Sequence, residues 1–544
     1  MENASSQNES ELQRASWIAE PWRSSIVPDE LPPDFQARNE SADTDTPPRI
    51  SFQTKFALGV LLVAVMAGVS GDALLRAIPW GLNVPVWVAL LMLSSGALMR
   101  WRASQAARGV MWLAAPMIFF AGAWAWRDSV VLNLLAMTGL LLTLLLVAFR
   151  LHAGRMLKAV AIEYLQTALL VFAWSALGLL RLIFGDIAWR ELPREGWAGK
   201  TKAVLRGVLI ALPLLFLFGS LLAMADAVFG QLVGRIFSFD SDRVTAHLAC
   251  AGFLTWITAG ILRWLLMDQN PLPLSGRQRG FQGLGLIEIG TVLGSLNVLF
   301  LAFVLVQFRY LFGGRAHLAD HAGLSYAEYA RAGFFELVWV AALVLPLLLL
   351  AHWLLKKDQP RNELIFRSLA GVQIALVAVI MFSAVQRMRL YQQAFGLTEL
   401  RFYTTAFMGW LALVLGWFGV TVLRGRRERF AFGAVAAGLL MIAALHVINP
   451  DAVIARHNLK RAVEGKGVDL NYLASLSADA APAWREGLAS LSETDQAVLI
   501  GRLQPRWLNA STDWRSWNWS RARARHLAVE LAGRNRIDST AELK

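Results

Sequence analysis

The sequence predicts an all-α, polytopic membrane protein: a transmembrane helix bundle with about twelve hydrophobic segments, followed by a small helical extramembrane tail. Three observations carry this. The 544 residues are 56% hydrophobic and only 17% charged, where a soluble chain carries about 25% charged residues. The apolar residues gather in runs of about 20, the length that crosses roughly 30 Å of hydrocarbon at 1.5 Å per residue. Lys and Arg crowd at the ends of those runs, where they orient helices in a bilayer.

Residues 1–50 come first and lack an apolar pattern. They contain Pro28, Pro32, Pro33, Pro47 and Pro48, and ten Asp/Glu against four Arg. This composition predicts a disordered acidic tail. A secretory leader would begin with a basic patch and an apolar core, and neither is present, so insertion is expected to start at the first apolar run.

Residues 51–449 form the predicted transmembrane domain. Its apolar segments fall near 54–71, 84–101, 109–126, 130–149, 158–183, 203–229, 244–266, 286–308, 333–355, 364–386, 402–423 and 430–448. Pro116, Pro213 and Pro346 predict kinks, since neighbouring helices can re-satisfy the freed carbonyls. The basic clusters are Arg100/Arg102/Arg108, Arg150/Arg155/Lys158, Arg190/Arg194/Lys200/Lys202/Arg206, Arg277/Arg279, Lys356/Lys357/Arg361 and Arg424/Arg426/Arg427/Arg429. The positive-inside rule makes them all cytoplasmic.

The second and third clusters flank a single apolar segment, 158–183, so both cannot be cytoplasmic if it spans once. Either that segment is re-entrant or interfacial, giving eleven crossings with the N-terminus inside and the C-terminal tail outside, or it spans and the count is twelve.

Residues 450–544 return to ordinary charge, with helical periodicity and several Trp. Short amphipathic helices are expected at 451–464, 469–476, 482–489, 494–502 and 520–533. The unit is small for an independent domain and is expected to pack on the membrane part.

The net charge of +13 is accounted for by helix-flanking cations, which argues for the lipid bilayer as partner and against nucleic acid. Cys250 is the single cysteine. It excludes an intramolecular disulfide and reads as a small packing residue.

Candidate chemistry lies on the loops assigned outside. Segment eight ends in VQFRYLFGG, bringing Gln307, Arg309 and Tyr310 to the boundary. YAEYARAGFFEL adds Glu328, Arg331 and Glu336, placed where the charges can face the bundle interior. The plainer reading of the Tyr and Arg is interfacial anchoring.

QRMRLYQQAFGLTELRFY supplies Arg389, Tyr391, Glu399 and Arg401. Asp226, and with it Asp72, Arg127 and Asp128, falls on the same side in the eleven-crossing arrangement. The tail opens with NPDAVIARHNLKRA, which puts Arg456, His457 and Asn458 on one helix. There the plainer reading is a helix cap at Asn449–Asp451 with headgroup-facing cations. His317, Asp320 and His321 in HLADH have a spacing that a helix could turn toward one metal, but the surrounding glycines read as loop, and no metal or other cofactor is expected. Phosphate-binding loops, HExxH and GxSxG are absent from the sequence.

RDSVVLNLL, ADAVF, QFRYLFGG, YAEYARAGFFEL, RLYQQAFGLTELRFY, NPDAVIARHNLKRA, VDLNYLASLSADAAPA and DWRSWNWSRARA together resemble the bacterial multi-pass families known as domains of unknown function 4153 and 4173, the latter especially. The resemblance implies an inner-membrane location and a shared fold, and supplies no activity. Three functions stay open: a binding or transport-like protein with a polar site on the extracytoplasmic face, an enzyme acting on lipid-linked or envelope glycan intermediates, and a signalling or assembly scaffold that binds an envelope protein.

Overall fold

The computed structural model describes residues 50–103, 106–153, 161–191, 241–268, 284–312, 334–356, 359–509 and 511–541, with a few isolated positions between them. Helices dominate throughout. Among the described residues the single β-type pairing is the isolated bridge between Leu284 and Leu355.

The chain divides into two compact units. One comprises Met1–Phe52 with Ala188–Ala227, the other Gln53–Ile187 with Val228–Lys544. In the first, the Ser51 backbone N–H and hydroxyl both donate to Glu191 Oε2, at 2.9 and 2.7 Å. Segment 203–229 of the sequence lies almost entirely outside the described residues.

The second unit holds the bundle. Its helices are α1 (Phe52–Leu75), α2 (Asn83–Trp101), α3 (Ala114–Trp126), α4 (Val130–Ala153), α5 (Ala161–Arg181), α6 (Ser241–Met267), α7 (Leu286–Phe312), α8 (Phe334–Leu354), α9 (Pro360–Phe395), α10 (Glu399–Thr421) and α11 (Phe430–Ile448). Among the described residues, eleven helices are long and apolar enough to cross a membrane. The protein is therefore a multi-pass, all-α membrane protein, and eleven of the twelve apolar runs coincide with these helices. Their outward positions carry large apolar side chains such as Leu93, Phe172, Leu299 and Leu440, as lipid contact demands. Pro346 lies inside α8 without ending it.

The tail folds as α12 (Pro450–Val463), α13 (Leu470–Ser475), α14 (Ala481–Gly487), α15 (Glu493–Leu508) and α16 (Trp519–Ala541). It buries its own core around Trp484, Leu473, Leu499, Leu503, Ala524 and Ala528. Asn449 makes the corner between α11 and α12. It takes the left-handed conformation (φ 58°) that Asn tolerates at a helix C-terminus, while its side chain accepts from Ala452 N to start α12. Pro450 follows at the first helical position, where no N–H is needed.

Helix α9 is 36 residues long, about 54 Å, and so outruns the hydrocarbon layer. Its last turns carry Arg387, Arg389 and Tyr391 toward the tail.

Candidate functional site

The α1–α2, α3–α4 and α9–α10 connections and the end of α11 all meet the tail at one end of the bundle. The opposite end carries basic residues: Arg100 and Arg102 after α2, Arg150 bonded to Gly109 O, Lys356 and Arg361 between α8 and α9, and Arg424, Arg426 and Arg429 between α10 and α11.

Asp479 is the hub of the junction. Its residue is 1% exposed, so its charge has to be satisfied by protein groups. Oδ2 accepts from the backbone N–H groups of Asp128 (3.0 Å) and Ser129 (2.9 Å) at the start of α4, where the helix dipole also favours an anion. Oδ1 faces the Ser520 hydroxyl and Arg127 Nη1.

Arg127 in turn donates to His446 O at 2.8 Å and stacks on Trp126. Asp128 pairs with Arg521 at 3.2 Å and accepts from Ala478 N. Burial pushes the Asp128 carboxyl up from its ordinary value, against the pull of Arg521. Asn518 donates to Trp124 O and Arg127 O, both at 2.8 Å, and Arg521 also reaches Trp80 O.

A second lock closes the α9–α10 turn. Gly396 has φ 76° and packs on the Asn458 side chain. Asn458 exchanges two hydrogen bonds with the Leu397 backbone, at 2.9 and 2.7 Å. Arg461 donates to Gln393 O and Ala394 O, and Arg401 to Phe395 O and Gly396 O. Two guanidiniums thus satisfy carbonyls at the end of α9, the end that favours cations. Arg401 also lies 4.0 Å from the Tyr391 ring centroid.

Between the two locks sits Asp451, fully buried. Its Oδ2 accepts from the Ser477 N–H and hydroxyl. Its Oδ1 has no hydrogen-bond partner. Burial first, and then the carboxylates of Glu399 and Asp479, push the Asp451 carboxyl up to about 7 despite Ser477. The hydroxyls of Tyr403, one turn along from Glu399, and of Ser129 lie beside each other without closing a full hydrogen bond. Tyr472 accepts from Glu399 N at 2.8 Å, and burial pushes its phenol up to about 12.

Of the residues singled out from the sequence, this site gathers Arg127, Asp128, Tyr391, Glu399, Arg401 and Asn458. His457 is exposed on the outer face of α12, where partial desolvation of its ring and then the neighbouring Arg461 lower its basicity. Arg456 is exposed and paired with Glu486 at 2.9 Å. Arg389 is exposed on α9.

Glu336 is also exposed, because Phe334, Leu337 and Val338 take the inward positions of the first turn of α8. It does not face the bundle interior. Gln307 is buried in α7 with neither amide atom hydrogen-bonded. Arg309 and Tyr310 belong to the last turn of α7, and their side chains lie outside the described residues, as do Glu328, Arg331, His317, Asp320 and His321. Asp226 is exposed and belongs to the other unit. Among the described residues no group of three or more His, Cys, Asp and Glu side chains is placed to hold a metal ion.

The residues sequence reasoning passed over are Ser129, Asn518 and Ser520; Asp451 falls in the helix-cap run at Asn449–Asp451, and Asp479 lies within VDLNYLASLSADAAPA without a role of its own. Five of the sequence motifs, RDSVVLNLL, RLYQQAFGLTELRFY, NPDAVIARHNLKRA, VDLNYLASLSADAAPA and DWRSWNWSRARA, meet at this one junction. Residues 114–487 match the family described as Domain of unknown function (DUF4153). The chain belongs to the DUF4153 family. That match takes in Arg127, Ser129, Glu399, Asp451 and Asp479, while Asn518, Ser520 and Arg521 lie beyond it. No curated protein and no solved structure matches the chain.

Proposed function

We propose that the protein binds a proton or a small monovalent cation at the Asp451–Glu399 pair, as a binding or transport-like protein working from the extracytoplasmic face of a bacterial inner membrane. The observation that carries this is Asp451: a carboxyl with no exposed surface, one oxygen unpartnered, facing a second carboxylate. With the Tyr403 and Ser129 hydroxyls the donor set is all oxygen, the set hard cations take. Two neighbouring carboxylates in a dry site cannot both ionise cheaply, so the pair holds a proton or a cation.

The sidedness rests on the basic loops at the far end of the bundle. Exposed Trp514, Trp517 and Trp519 form an aromatic group at the height where Arg515 bonds the last turn of α1 and Trp517 the α1–α2 connection, as a membrane–water boundary on either side would carry. The tail motifs also lead us to place the chain near the DUF4173 type.

Melting of the purified full-length protein in detergent at pH 8 tests the function. NaCl or KCl should raise the melting temperature above a choline chloride control of equal ionic strength. Asp451→Asn/Glu399→Gln should lose that increment. Equal melting in all three salts sinks the cation reading.

A second reading has its own observation. An acid protonated near neutrality beside a second carboxylate is also the arrangement of a general acid–base pair, which fits an enzyme acting on lipid-linked or envelope glycan intermediates.

A further inference from the structure

We infer that Ala161–Asp186 does not cross the membrane: it lies across the bundle at the end carrying the basic loops, with its outer face in the headgroup–acyl boundary of that leaflet. The sequence poses the question, because basic clusters flank this apolar run on both sides. The fold answers it through the anchors at the two ends of the helix.

Near the start of α5, Tyr164 stacks on Phe149 of α4 at 4.5 Å, and its hydroxyl donates to Met156 O. At the far end a short π-helical turn, Leu182–Asp186, extends α5, and Asp186 is bound by Arg263 of α6. The next residue, Trp264, stacks on His152 at 4.1 Å, and His152 is three residues from Phe149. Both ends are therefore tied to the last turn of α4.

Tyr164 and Asp186 are about 33 Å apart along a helix rising 1.5 Å per residue. A helix parallel to α4 would carry Asp186 to the level of Val130, where the tail docks. It sits instead beside α6 at the level of His152. The middle agrees, since Gly178 meets Gly260, one turn from Trp264, so closely that a Cβ on Gly178 would lie 2.6 Å from Gly260 Cα. Small residues permit such a crossing.

The outward face is Leu165, Leu169, Phe172, Leu177, Leu180 and Phe184, all exposed, and Arg181 stacks on Trp174 at its end. An apolar stripe on a helix lying crosswise beside basic loops fits the lipid interface and its anionic headgroups. Removing this helix from the count leaves eleven crossings among the twelve apolar runs, and the clusters at 150–158 and 190–206 then share a side.

Spin labels placed one at a time on those six outward positions test this, in full-length Cys250→Ser protein reconstituted in lipid. Depth is read from collisions with oxygen against a nickel chelate. The six labels should lie within about 5 Å of one depth, one helical pitch. A crossing helix changes depth by about 22 Å between positions 165 and 180, and a profile passing the bilayer centre overturns the inference. Independently, Lys158→Cys and Arg190→Cys should react with an impermeant maleimide from the same side of the membrane. Reaction from opposite sides overturns it.

Discussion

Replacing Asp451 with Asn should make the protein less sensitive to alkaline pH. The carboxyl titrates near 3.8 in an unfolded chain and about 7 in the fold, so between those values the folded state holds more protons than the unfolded one. Stability therefore falls as pH rises through that window, and the full penalty is present above it. Three units at 1.36 kcal/mol each give a penalty of about 4 kcal/mol at alkaline pH. Between pH 5.5 and 8.5 the expected loss is about 2 kcal/mol. With an unfolding entropy near 2.1 cal/mol/K per residue, this is a drop of about 2 °C in melting temperature if the whole chain unfolds together, and more if the tail undocks first. Asn keeps an acceptor for the Ser477 N–H and hydroxyl and carries no proton to lose, so Asp451→Asn should remove this part of the slope. Glu399→Gln should move the wild-type midpoint downward, because Glu399 helps to hold the proton on Asp451. Differential scanning fluorimetry in detergent across pH 5.5–8.5 checks this, and equal slopes for wild type and Asp451→Asn refute it.

Asp479→Ala leaves Arg127 buried without its anion and two N–H groups without acceptors. It should cost about 3–5 kcal/mol, read as faster tryptic cleavage of the tail with the bundle intact. Gly396→Ala forces a Cβ into a left-handed position 2.6 Å from Asn458 Oδ1 and should destabilise by about 1–3 kcal/mol in the same melt. Glu336→Ala and Arg456→Ala alter exposed groups and should each stay within about 0.5 kcal/mol of wild type. A reporter active only in the periplasm, fused after Lys544, should be active, and a silent fusion of normal abundance reverses the sidedness.

Helices were legible because lipid demands a long apolar run for each crossing, a signal spread over 20 residues, while α9 outruns its apolar segment 364–386 at both ends. Loop parity grouped the α3–α4 and α9–α10 connections with the tail, and these do share one end of the bundle. Which residues meet there was not legible. Glu336 stood out as an acid entering an apolar run, yet it is turned outward by its apolar neighbours. Ser129, Asn518 and Ser520 were inconspicuous because a lone Ser or Asn in a loop has many ordinary uses, and their partners lie hundreds of positions away: Asn518 bonds Trp124 O and Arg127 O. Asp451 looked like part of a helix cap, and Asp479 had nothing beyond its place in the tail motif to mark it. Of these local groups, the Asn449 side chain caps α12 and Ser477 caps the turn holding Asp479, while both carboxylates point away into the junction.

The division between satisfied and unsatisfied groups at the junction argues against a purely mechanical role for all of it. Arg127, Asp128, Asp479, Asn518 and Arg521 form a network in which each charge finds an opposite charge or a row of backbone groups, which is what fastening a tail to a bundle requires. A fastening gains nothing from Asp451 Oδ1, a buried oxygen without a donor. An amide there would keep an acceptor for Ser477 at lower electrostatic cost. Asp451 nonetheless touches the fastening directly, since the Ser477 hydroxyl donates to its carboxyl and accepts from the Asp479 N–H. Proton or cation exchange at Asp451 therefore changes the charge beside Asp479, two residues from its own hydrogen-bond partner and in contact with the first turn of α4. Among the described residues the helix interiors offer no comparable charged route, so ligand-dependent movement in this protein should appear first as a change in how tightly residues 477–480 hold Arg127–Ser129. Amide hydrogen exchange at Asp128 and Ser129, compared at pH 5.5 and 8.5 after correction for intrinsic rates, should show the looser junction at high pH in wild type and no such difference in Asp451→Asn.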